Sequence, residues 1–90
     1  MRRLLFFHAP WCPPCRFYEK QFIVLLERKV GEDKIQRVNA QSGPFTADKY
    51  NIDKLPAVVF LDGETVYMNR TGAIDVDEAA DWLNEGSDGN

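Results

Sequence analysis

Both cysteines of this chain lie in one short stretch, WCPPC at 11–15. An apolar run precedes the pair and a helical pattern follows it, so a strand, a tight turn and a helix start must all fall within the first twenty residues. The run RRLLFFH (2–8) reads as a buried strand, interrupted by Pro10. Residues 13–29 read as a helix, with Tyr18, Phe22, Leu25, Leu26 and Lys29 at three–four spacing and Arg16, Glu19, Lys20 and Glu27 on other faces. Pro13 suits its first position, where the missing N–H has no partner to lose.

Three chemistries use cysteines so spaced. A structural staple is weak here, because a loop of about four residues contributes roughly 2 kcal/mol against about 4 or more for a long loop. A structural zinc site wants four ligands, and the chain has two cysteines and one histidine. Redox chemistry fits the spacing. With the helix starting at Pro13, Cys12 takes the cap and Cys15 lies one turn in, on the same side. The helix N-terminus favours a thiolate through its partial positive charge and free N–H groups. Cys12 is therefore the expected nucleophile and Cys15 the resolving thiol. Pro13 and Pro14 stiffen the loop and remove two donors, leaving the Cys15 N–H beside the sulfur.

The rest of the chain alternates strand and helix. KIQRVNA (34–40) reads as a strand, and SGPFTADKYNI places Gly43 and Pro44 ahead of a short helix. LPAVVFL (55–61) is a strand covered on both faces, DGE a tight turn, and TVYMN (65–69) the hairpin partner. Asp75 and Glu78 form a capping-box-like start for VDEAADWLNE, and GSDGN reads as a frayed tail. The order is βαβαββα: an α/β fold with a four-stranded mixed sheet and three helices, expected to be one domain over 1–90.

The net charge of −3 argues against nucleic acid as a partner, since phosphate binding needs a basic patch. FIVLL (22–26), the longest apolar run, is too short to cross a bilayer, and MRRLLFFHAPW has too few apolar residues for a signal peptide. A cytoplasmic setting follows as the expectation. There a CxxC pair is catalytic or metal-binding more often than structural.

WCPPC between an apolar strand and a helix resembles the active site of the thioredoxin superfamily, in the two-proline form of tryparedoxins and nucleoredoxins. KLPAVVFLDGE (54–64) resembles the family's segment with a cis-proline before a buried strand, which implies a cis bond at Leu55–Pro56. RTGA (70–73) resembles its glycine-containing turn that touches substrate, and VNAQSGPFTADKYNI (38–52) is similar to the stretch leading to the cis-proline. The resemblance covers nearly the whole chain. It implies a minimal thioredoxin fold, a redox-active Cys12–Cys15 disulfide, and a substrate groove at Trp11, Leu55, Pro56, Thr71, Gly72 and Ala73. His8, Pro13 and Pro14 are candidates for tuning Cys12; end-of-strand packing is the plainer role for His8.

Two departures stand out. The chain starts at what would be the family's third element, which makes 34–40 a sheet edge, with Gln36 and Arg37 discouraging pairing. The family's buried aspartate, six residues before the nucleophile, corresponds to Phe6, and its nearby lysine to Arg37. The role of that charge pair does not carry over. Glu19, four residues after Cys15, is a solvated helix position or a proton relay, and Trp82 is core or helix packing.

The resulting expectation is a monomeric dithiol–disulfide oxidoreductase without bound cofactor or metal. It reduces protein or small-molecule disulfides with electrons from a thioredoxin reductase or from glutathione. A glutathione-dependent glutaredoxin-like enzyme is one alternative, disfavoured by the lack of a GG pair near Gly72. A non-catalytic redox-sensing or adaptor module is another.

Overall fold

Strand β1 (Arg2–His8) alternates its side chains across the sheet, as a period of two requires. Leu4 and Phe6 enter one apolar cluster, Leu5 and Phe7 the other, and all four are buried. The computed structural model describes residues 1–88 of the chain. β1 lies inside a four-stranded sheet of order β2–β1–β3–β4. It runs parallel to β2 (Ile35–Asn39) and antiparallel to β3 (Ala57–Asp62), which pairs antiparallel with β4 (Thr65–Arg70). The sheet is therefore mixed, as the alternation predicts. Strand β3 is buried at five consecutive residues, Ala57 to Leu61, because both its faces are covered. Gly63, at φ 62°, makes the two-residue hairpin turn.

The helix expected over 13–29 runs to Val30 but is not uniform. It consists of α1 (Pro13–Tyr18), a π-helical turn at Glu19–Ile23, and α2 (Val24–Val30), and it ends at Gly31 with φ 94°. The π-turn shifts the phase of everything after it. Tyr18 and Ile23, five residues apart, are both buried, and the inward stripe continues through Leu26 and Val30. Leu25, expected on the apolar face, is instead 42% exposed. Counting by three and four carries the wrong phase across a π-turn.

Helix α3 (Pro44–Lys49) covers the second face of the sheet, placing Ala47 in one buried cluster with Val38 and Val59. Helix α4 (Val76–Asp88) packs on the first face, beside α2 and β1. The Asp75 carboxylate accepts the Glu78 N–H at 3.0 Å, the cap that the sequence implies. Residues 86–88, read as part of a frayed tail, continue this helix; Gly89 and Asn90 lie outside the described residues. Arg2 ties α4 to the sheet: its guanidinium donates to the Trp82 carbonyl at 2.8 Å and lies 4.5 Å from the Trp82 ring centre. Trp82 also stacks on Tyr67 of β4, which fits the packing role expected of it.

Strand β2 is one edge of the sheet, shorter at both ends than expected because Lys34 belongs to a 3₁₀ turn and Ala40 follows the strand. Arg37 reaches from this edge to the helix, donating to Glu19 and to both carboxylate oxygens of Glu27. Glu19 is thus held in an ion pair with Arg37, a partner that its helical spacing could not reveal.

Candidate active site

The site is built where β1 hands over to α1. Ala9 and Cys12 close a turn through a Cys12 N–H to Ala9 carbonyl bond of 3.2 Å. Cys12 stays extended, at φ −108° and ψ 93°, and caps the helix; Pro13 and Pro14 take its first two positions. Cys15 follows in the first turn, and its N–H lies 3.3 Å from the Cys12 sulfur and 3.1 Å from the Cys12 carbonyl. This is the one donor that the two prolines leave near the sulfur. The cysteines form a disulfide with their Cα atoms 5.3 Å apart, inside the range that a disulfide spans without moving the backbone. Both residues are buried, so position along the helix, and not exposure, distinguishes the two sulfurs in this state.

The cluster that holds the disulfide also holds a column of aromatic rings. Phe6 stacks on Tyr18 at 5.8 Å and 9°, His8 on Phe6 at 5.4 Å and 21°, and Tyr18 packs against Phe22 at 4.7 Å. No charged residue is buried among the described residues, so the core cluster of Cys15 contains no buried carboxylate. Arg37 points away to Glu19 and Glu27. Burial pushes the Tyr18 hydroxyl up to about 12, so it remains protonated at neutral pH.

The remaining sequence-predicted residues fall in two groups, a groove at Trp11 and Leu55 and the turn at 71–73. Trp11, 67% exposed, lines a shallow groove with Ala40, Asp48, Ile52, Asp53 and Leu55. The Leu55–Pro56 peptide is cis. Thr71, Gly72 and Ala73 are exposed in the turn after β4. That turn is joined to the cysteine helix by a hydrogen bond from the Tyr18 hydroxyl to the Gly72 carbonyl, 2.9 Å long. Nothing in the sequence pointed to this bond, since its partners are 54 residues apart and Tyr18 reads as one more apolar helix position.

Among the described residues no group of three or more metal-ligating side chains comes together, and no helix is long and apolar enough to cross a membrane.

The thioredoxin family model matches residues 2–85. The chain belongs to the thioredoxin family. It is 29% identical over 82 residues to a thioredoxin of Buchnera aphidicola, spanning 91% of this chain and 76% of that protein. A Synechocystis thioredoxin is 33% identical over 66 residues, 72% of this chain and 62% of the relative. The M-type chloroplast thioredoxin of Pisum sativum is 39% identical over 58 residues, but those cover 64% of this chain and 34% of the pea protein. Among solved structures, thioredoxin-2 of the malaria parasite superposes with a TM-score of 0.78 at 17% identity, covering 94% of this chain and 82% of the other. Fasciola hepatica thioredoxin gives 0.75 at 21%, covering 94% and 80%. At such identities these two show the thioredoxin fold alone. Family membership and the Cys12–Cys15 disulfide together make this a dithiol–disulfide oxidoreductase.

Proposed function

We propose that the chain reduces disulfides of proteins, with Cys12 as the attacking sulfur and Cys15 as the resolving one. The observation that carries this reading is the cap: the Cys12 sulfur accepts the Cys15 N–H at the start of a helical segment. That N–H and the helix's partial positive charge stabilise a thiolate at Cys12 once the disulfide is reduced.

The Cys12 thiolate attacks one sulfur of the substrate disulfide. A mixed disulfide forms and one substrate thiolate leaves, to be protonated by water. Cys15 then loses its proton and attacks the Cys12 sulfur, restoring the Cys12–Cys15 disulfide and releasing the second substrate thiol. Two electrons pass to the substrate, and a donor returns them by the reverse exchange. The dithiol carries the electrons itself, so no bound cofactor or metal is required. With Phe6, and no buried carboxylate, in the cluster that holds the cysteines, the proton of Cys15 goes to the departing thiolate or to solvent. Trp11, Leu55, Pro56 and the turn 71–73 offer the substrate an accessible rim, while Pro13 and Pro14 restrict the loop and His8 stacks on Phe6 at the end of β1. The setting that suits this chemistry is a reducing cytoplasm. A monomer is expected, because the Arg37 fork leaves the β2 edge charged and tied to its own helix.

Insulin reduction tests the proposal, with electrons supplied by NADPH and a thioredoxin reductase in one arm and by glutathione with its reductase in the other. Turnover in the first arm is expected. Turnover confined to the second would favour a glutaredoxin-like enzyme. Insulin binding without turnover in either arm would favour an adaptor.

A further inference from the structure

Tyr18 lies three residues beyond Cys15 and is 5% exposed. Its ring is held by Phe6 and Phe22, contacts that phenylalanine would make equally well. The hydroxyl is therefore the part that packing leaves unexplained, and it is spent on one bond, to the carbonyl of Gly72. Its raised pKa, about 12 through burial, keeps it a donor throughout the neutral range.

That bond has a geometric consequence. Leu55–Pro56 is the one cis peptide among the described residues, so Gly72–Ala73 is trans. In a trans peptide the C=O and the following N–H point in opposite directions. With the Gly72 carbonyl turned toward α1, the Ala73 N–H is directed away from it. Ala73 is exposed, and its N–H has no partner among the described residues. Gly72 adds a second sign of access. A Cβ there would meet no atom within 4 Å, so crowding does not call for glycine. Glycine at an uncrowded position leaves bare backbone that another chain can approach closely.

We propose that Tyr18 is a positioning residue: its bond to Gly72 holds the Ala73 N–H ready to donate to a backbone carbonyl beside the disulfide of a protein substrate. The inference rests on the disulfide-reductase reading and adds a preference for substrates with a backbone to grip. Small disulfides lack that carbonyl and gain nothing from the bond.

Tyr18→Phe keeps the ring and removes the hydroxyl. Steady-state reduction of insulin and of 5,5′-dithiobis(2-nitrobenzoic acid) is compared between wild type and variant. One lost hydrogen bond predicts a rise of about fivefold in the insulin KM with kcat unchanged. Turnover of the small disulfide should not change. An unchanged insulin KM would overturn the inference, and so would a parallel loss with both substrates. Wild-type protein that reduces neither substrate would bring down the reductase reading, and this one with it. A second measurement leaves Tyr18 in place. In a Cys15→Ser protein trapped as a mixed disulfide with a cysteine peptide, hydrogen exchange of the Ala73 N–H should slow about tenfold relative to the free protein, as expected when an exposed amide becomes bonded. Unchanged exchange would overturn the inference even if Tyr18→Phe fails to fold.

Discussion

On one face of the sheet, Leu4, Phe6, Val58 and Phe60 lie beneath the long helical segment 13–30 and α4. On the other, Leu5, Phe7, Val59 and Leu61 are covered by α3, six residues long, and the loop after it. The disulfide belongs to the first face: Cys12 and Cys15 pack in the same cluster as Phe6, Tyr18 and Leu83. The thinner face carries Phe45 on α3, 87% exposed, and the groove lined by Trp11 and Leu55. Leu55 packs against both clusters. The redox centre is thus rooted in the thicker half of the core, while part of its exposed rim hangs on the thinner half. The buried sulfurs and the exposed border that the proposed substrate would meet are supplied by different sides of one sheet.

The largest expected effect lies on the thick face. Phe6→Asp opens a cavity and buries an unpaired carboxyl, at a cost of about 4 kcal/mol in denaturant unfolding. If the variant folds, a carboxylate in the cluster that holds Cys15 should also speed release of the mixed disulfide near neutral pH, read by stopped flow. Unchanged stability would mean that Phe6 is not part of the core the disulfide rests on.

Tyr18 gives the same face an alkaline limit. Folding favours its neutral form, so its contribution is complete below the ordinary value of 10.0 and is lost as pH rises toward about 12. The melting temperature of wild type should fall across that window, and that of Tyr18→Phe should fall less.

A smaller effect belongs at the acid end, on the β2 edge. The hydrogen bond from Arg37 holds the Glu27 carboxyl below its ordinary value of 4.5. Folding favours the ionised form, so this contribution is present above about pH 4.5 and is lost as pH falls through the lowered value. The pair is only partly exposed, so Glu27→Gln should cost about 1 kcal/mol at pH 7 and flatten the acid slope of stability. On the thin face the expected effect is least: Phe45→Ala should change stability by no more than about 0.5 kcal/mol. A loss as large as that at Phe6 would erase the distinction between the faces.

Much of this architecture is legible in the chain. RRLLFFH and LPAVVFL declare strands through apolar runs bounded by proline, charge and glycine, and Asp75 with Glu78 declares the start of the last helix. The cysteine pair marks the site, because thiol chemistry at a helix cap depends on neighbours in sequence. The cis bond at Leu55–Pro56 and the turn at Gly72 were visible only through resemblance, since nothing local marks them. Three features stayed hidden for physical reasons. A π-turn leaves no periodic signature, so three–four spacing turns Leu25 inward and passes over Ile23. The Arg37 fork and the Tyr18–Gly72 bond join distant segments, and a side chain's spacing says nothing about a partner on another element.

The direct test of the central claim is a pair of single substitutions exposed to a disulfide-bearing protein, followed by mass measurement without reductant. Cys15→Ser should accumulate a mixed disulfide through Cys12, and Cys12→Ser should form none and reduce no substrate. A Cys12→Ser protein that kept substantial reductase activity, or that captured the substrate through Cys15 as readily as Cys15→Ser does through Cys12, would contradict the assignment of Cys12 as the attacking sulfur.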